Sequence, residues 1–203
     1  MKLLVMLFFF FSTQVVAMLT PVTYEKDGEV ITKNAVRYKD GYGYNVNAEH
    51  VLRLVTLDWP PYIDEHRCNK GWLYQFTVQS LLKKGYGVYI GFYPWARAVR
   101  EAELGKADIL FPEYFIESTV ISDNFLDKTR NELLALSQPI PGGDLSFVAL
   151  KGNQIRFNGD LNSVKDQVIG VVRSYKNTQQ LDEMIDNVKP GGYVIYNGQD
   201  KNC

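Results

Sequence analysis

The chain is poor in the residues that most often carry metal and nucleophile chemistry: two histidines and two cysteines in 203 residues. His50 and His66 give a Ser-His or Cys-His catalytic pair little to build on. Asp64, Glu65, His66 and Cys68 lie close together, but their spacing matches no zinc pattern and no second Cys/His pair is within reach. A solvated loop is expected there, with no metal. Two cysteines do not make a disulfide framework. Export would permit Cys68 and Cys203 to pair, but their separation does not decide it. Charge of one sign is also lacking. Lys and Arg number 22 against 23 Asp and Glu, a net charge of −1 without a basic cluster, so there is no footprint for nucleic acid. No G-x-S-x-G, Walker or G-x-G-x-x-G pattern occurs, and no cofactor is expected. Beyond Phe11 no apolar run is long enough to cross a bilayer. What is present is an ordinary globular composition, 46% hydrophobic and 22% charged, long enough for one large domain or two small lobes.

Residues 1–17 read as a secretory signal peptide. Lys2 is the positive start, Leu3 to Phe11 the apolar core, and Val15-Val16-Ala17 the small-residue cleavage site. An uncleaved anchor is the alternative. The expected product is soluble and periplasmic. Residues 18–50 are polar and turn-rich. Asp27-Gly28 between two β-prone runs signals a hairpin and Lys39-Asp40-Gly41 a second turn, so a small β-rich extension is expected before the main fold.

From Val51 strand and helix patterns alternate. Val51–Leu57 reads as a strand. Gly71–Lys84 reads as a helix with an apolar stripe at three-to-four spacing, ended by Gly85. Tyr86–Tyr93 is a second strand, Ala96–Leu104 a short helix with Arg97 and Glu101 at contact spacing, and Asp108–Phe111 a third strand closed by Pro112. This β-α-β-α-β order implies a parallel sheet. Residues 113–129 read as a long loop with a short element, and Leu133–Leu136 and Leu145–Leu150 as extended. Pro139, Pro141, Gly142 and Gly143 mark a boundary, giving units at 51–143 and 144–203. In the second unit Gln167–Val172 reads as a strand, Thr178–Val188 as a helix with a capping-box pair at Asn177 and Gln180, and Tyr193–Tyr196 as another strand.

The most informative stretch is Val55–Ile63, VTLDWPPYI. Proline fixes φ and removes a backbone donor, so Pro60-Pro61 ends the strand in a stiff turn that holds up Trp59 and Tyr62. Ligands in open α/β sheets sit beyond the carboxyl ends of the strands, so these aromatics are candidates for a small-molecule platform. A proline turn with two core aromatics is the alternative.

Four motifs together resemble bacterial extracellular solute-binding proteins of family 3, the polar amino-acid-binding class. They are Asp58-Trp59-Pro60-Pro61-Tyr62, Pro94-Trp95-Ala96-Arg97-Ala98, Gly105-Lys106-Ala107-Asp108-Ile109, and Arg130 seven residues before Ser137-Gln138-Pro139. The likeness runs from about Leu54 to the end. It implies an α/β fold, a periplasmic-binding-protein-like two-lobed clamp of type II, with the N-terminal β extension in front. It also implies capture of a small polar, carboxylate-bearing solute for a membrane transporter, by a monomer without covalent chemistry. Tyr62 and Trp95, with Trp59, would wall the cleft. Arg130 would clamp a carboxylate, a task suited to its planar fork. Arg173, Ser174 and Asn177, ahead of a helix, would grip from the second lobe.

Two departures from the family pattern matter. Phe111-Pro112-Glu113-Tyr114 replaces a Thr-rich turn, so Glu113 would bind an ammonium or repel a carboxylate. The chain also reaches Cys203 before the family's return crossover, so the second lobe is expected to be incomplete, as in a fragment or an interrupted gene. A ligand-sensing module, or an enzyme on the same scaffold using Glu113, are the alternative functions. For Arg130 the alternative is a surface arginine, and for the aromatics core packing.

Overall fold

The computed structural model describes residues 20–113, 120–140, 146–152, 156–172, 175–187 and 193–196. The expected leader lies outside them, as do Cys203, Arg173 and Ser174. No helix among the described residues is long and apolar enough to cross a membrane.

Two hairpins come first. β1 (Pro21–Lys26) and β2 (Glu29–Asn34) pair antiparallel across Asp27 and Gly28. Both turn residues have positive φ, 53° and 82°, the left-handed pair a tight hairpin needs. β3 (Val36–Tyr38) and β4 (Gly41–Tyr44) form the second hairpin. It does not belong to a separate decoration: β4 pairs antiparallel with β6 (Gly87–Phe92), which itself lies parallel to β5 (Val51–Thr56). With β7 (Ile109–Leu110) on the far side of β5, the order is β3-β4-β6-β5-β7, a five-stranded mixed sheet. Close backbone approach makes Gly41 necessary in β4, because a Cβ there would run into the Ile90 carbonyl.

The alternation along β5 and β6 sorts side chains onto two faces. Leu54, Val88, Ile90 and Phe92 meet α1 (Trp72–Lys83) through Leu73, Tyr74, Val78 and Leu82. Val22 of β1 and Tyr44 of β4 complete this core. Val55 and Leu57 meet α2 (Trp95–Glu103) through Trp95, Ala98, Val99 and Ala102. The Thr56 hydroxyl donates to the Phe111 carbonyl at 2.6 Å in the interior, fixing where the chain leaves β7.

After β7 the chain makes a single helical turn, α3 (Arg130–Leu133). This replaces the start of the extended run expected at Leu133–Leu136, and residues 146–150 form no strand either. A 3₁₀ turn (Leu161–Val164), β8 (Ile169–Val172), α4 (Gln179–Asn187) and β9 (Tyr193–Tyr196) follow, β8 and β9 pairing parallel as a separate two-stranded sheet. The helix caps differently from the expected Asn177/Gln180 box. The Thr178 hydroxyl accepts from Leu181 N–H, and Asp182, not Gln180, reaches back to Asn177.

Candidate functional site

At the carboxyl edge of the parallel strands, Leu57, Trp59, Trp95, Pro112, Glu113, Tyr175 and Lys176 close around a narrow crevice. β5 delivers Leu57 and Trp59, the start of α2 delivers Trp95, and the exit of β7 delivers Pro112 and Glu113. Tyr175 and Lys176 come from the turn after β8, where Tyr175 N–H bonds the Val172 carbonyl at 3.1 Å. The volume open to the centre of a water molecule is about 10 Å³, room for a single water.

The proline turn is built as its sequence demands. Trp59 and Ile63 exchange backbone hydrogen bonds of 2.7 and 3.0 Å across Pro60-Pro61, and the Asp58 carboxylate accepts Glu65 N–H at 2.8 Å. Ile63 is fully buried and anchors the turn from below. Trp59 faces the crevice. Tyr62 does not line it: its ring lies against the back of Trp59, centroids 4.6 Å apart, and 38% of the residue is exposed. The Tyr62 carbonyl receives Leu73 N–H at 3.1 Å, so the turn also caps the start of α1. Gly71 permits this, with φ +90° and no Cβ to strike that carbonyl. Trp95 is 6% exposed, packed into the α2 core on one side and edge-on to Tyr175 at 5.7 Å on the other. This tryptophan thus packs in the core and also lines the crevice.

Arg130 is completely buried. Its Nε donates to Glu103 Oε1 at 3.2 Å, while Nη1 and Nη2 lie 3.6 Å from Glu113 Oε2 and Asp123 Oδ2. It is neither a surface arginine nor, as it stands, a fork turned to an outside carboxylate. Local structure fixes it there. Arg130 N–H bonds the Val120 carbonyl, Ser122 N–H bonds that of Lys128, and Thr129 N–H donates to the Glu132 carboxylate at 2.6 Å. That backbone bond, with a second from the Thr129 hydroxyl, holds the Glu132 carboxyl below its ordinary value. Glu103 also accepts from the Ser122 hydroxyl at 2.8 Å and from the Asn124 amide. Asp123 closes the group by taking the Lys176 ammonium at 3.1 Å.

Of the residues singled out in the sequence, the structure thus brings together Trp59, Trp95, Glu113 and, behind them, Arg130. It leaves Tyr62 outside the crevice. Asn177 stands next to Lys176, but its amide and backbone N–H both donate to Asp182, at 2.8 and 3.1 Å. The expected Arg97–Glu101 contact is replaced by a guanidinium over the Tyr93 ring at 4.3 Å. Sequence reasoning missed Glu103, Asp123, Tyr175 and Lys176. Glu103 had a signal: the apolar stripe Trp95, Ala98, Val99, Ala102 continues at position 103, so an acid sits where a core residue belongs and calls for a buried cation. Among the described residues no three His, Cys, Asp or Glu side chains converge as a metal site.

The crevice offers apolar walls, an acid and an ammonium, with the acid held by a buried guanidinium. Comparison with protein-family models, with curated proteins and with solved structures gives no match to this chain.

Proposed function

We propose that the chain is a solute-binding module of the two-lobed clamp type. It captures a small polar, amino-acid-like solute in the crevice and delivers it to a membrane transporter. One observation carries the reading: residues from both sequence units, Trp59, Trp95 and Glu113 from the first and Tyr175 and Lys176 from the second, meet at the carboxyl edge of the parallel strands. Ligands of open α/β sheets favour that place, and a clamp needs walls from two units. Solute pockets commonly enclose about 300–1,000 Å³, so the second-unit residues withdraw before a solute enters. Periplasmic location and the transporter partner rest on the leader-like residues 1–17 and the motif resemblance.

Isothermal titration of the full chain against amino acids, small carboxylates and amines tests the proposal. The expected result is one-to-one binding that Trp59→Ala weakens about tenfold or more, the loss of one aromatic wall being worth more than about 1.4 kcal/mol. A well-folded sample that gives no heat with any of them would sink it.

A further inference from the structure

Lys176 stands where a ligand's charge would stand. Its ammonium lies 3.1 Å from Asp123, its side chain lines the crevice beside Glu113, and its neighbour Tyr175 lays a ring edge-on to Trp95. Two adjacent residues thus present an aromatic body to a tryptophan and a cation to a carboxylate.

The carboxylates call for that cation. Glu103, Glu113 and Asp123 surround one guanidinium. Arg130 uses Nε on Glu103, while Nη1 and Nη2, fully buried and directed at Glu113 and Asp123, have no hydrogen-bond acceptor among the described residues. Remove Lys176, and among the described residues Glu103 and Asp123 share the Arg130 guanidinium. A solute carboxylate arriving there meets Asp123 and Glu113, which stand between it and Arg130. Like charges in a partly dry site repel strongly, whereas an ammonium replaces what Lys176 supplied.

We infer that Tyr175 and Lys176 are an internal stand-in for the solute. The solute that displaces them carries an ammonium group beside an apolar or aromatic body, and its amino end makes the deciding contact. The inference rests on the crevice being a solute site. It assigns Arg130 to holding Glu113 and Asp123 in place for the ammonium, and it sets Lys176 as a competitor that lowers the apparent affinity by the fraction of time it occupies the site.

Calorimetric titration of the full chain, Lys176→Met and Asp123→Asn with phenethylamine, 3-phenylpropionate and phenylalanine tests this, with circular dichroism to verify each fold. Phenethylamine is expected to bind the unmodified chain about tenfold or more tighter than 3-phenylpropionate. Lys176→Met should tighten the amine by about threefold to tenfold, since the competitor is gone while the apolar stem is kept, and Asp123→Asn should weaken it. Equal or tighter binding of 3-phenylpropionate, or weaker amine binding by Lys176→Met, overturns the stand-in but leaves the solute site in place. No heat from any of the three proteins with any of the three probes overturns both.

Discussion

The two sides of the main sheet each bury a polar network, and they are built on opposite plans. On the α1 side the Tyr74 hydroxyl donates to that of Tyr44 at 3.2 Å, and Tyr44 donates to the Thr20 carbonyl at 3.1 Å. The chain is neutral, short and enclosed by the larger core. Burial pushes the Tyr44 phenol up to about 12, and burial is also the main reason Tyr74 is raised. At the α2 end the network is ionic. Glu103 and Arg130 are fully buried, the Glu113 side chain is 11% exposed, and Asp123 and Lys176 reach the surface. The neutral network ends in backbone and fastens the N-terminal strand. The ionic one begins in the core and comes out at a crevice, so its outer charges remain available to something that enters. A buried ion pair is a poor way to stabilise a fold, which makes its position beside the crevice informative.

Changes that break this contrast have graded effects. Glu103→Ala strands the buried Arg130 charge and should lose about 3–5 kcal/mol in urea unfolding. Glu103→Leu with Arg130→Met should recover most of that loss, because both charges leave together. Tyr44→Phe removes both buried neutral hydrogen bonds of its hydroxyl and should lose about 1–3 kcal/mol. The same tyrosines give a pH test. They hold their protons more tightly folded than unfolded, so their contribution is intact below the ordinary phenol value of 10.0 and is lost as pH climbs toward about 12. Denaturation midpoints taken from pH 9 upward should fall across that window, less steeply in Tyr44→Phe. The smallest effect belongs to Lys176→Met. Its pair with Asp123 is partly exposed and should contribute no more than about 1 kcal/mol. A change as large as that of Glu103→Ala would mean that Lys176 holds the fold together and is no mobile stand-in.

Much of the first unit was legible before its coordinates. The alternating strand and helix patterns gave β5, β6 and α2, three-to-four spacing gave α1, and the prolines placed Trp59 at a strand end. That β5, β6 and β7 run parallel followed from the helical crossovers, while their order β6-β5-β7 did not. The turn at Lys39-Asp40-Gly41 was legible, but not that its strand β4 joins the main sheet, because the pairing of β4 with β6 is long-range and leaves no local mark. The same holds at the site. Lys176 and Asp123 are 53 residues apart, and each looks like an ordinary surface charge. Arg130 was found for its spacing to Ser137-Gln138-Pro139, yet its burial was hidden, since the acids that neutralise it lie on α2 and in two loops.

The aromatic chain through the proline turn has an optical consequence. The protein has three tryptophans. Trp59 and Trp95 form crevice walls, and Trp72 lies with its ring centroid 6.0 Å from that of Tyr62, whose ring lies tilted against Trp59. Two of the three indoles therefore stand in the crevice wall, and the third lies two rings behind it. Withdrawal of Tyr175 from Trp95, or arrival of a solute in its place, would be written into the intrinsic fluorescence, making the unlabelled protein its own indicator.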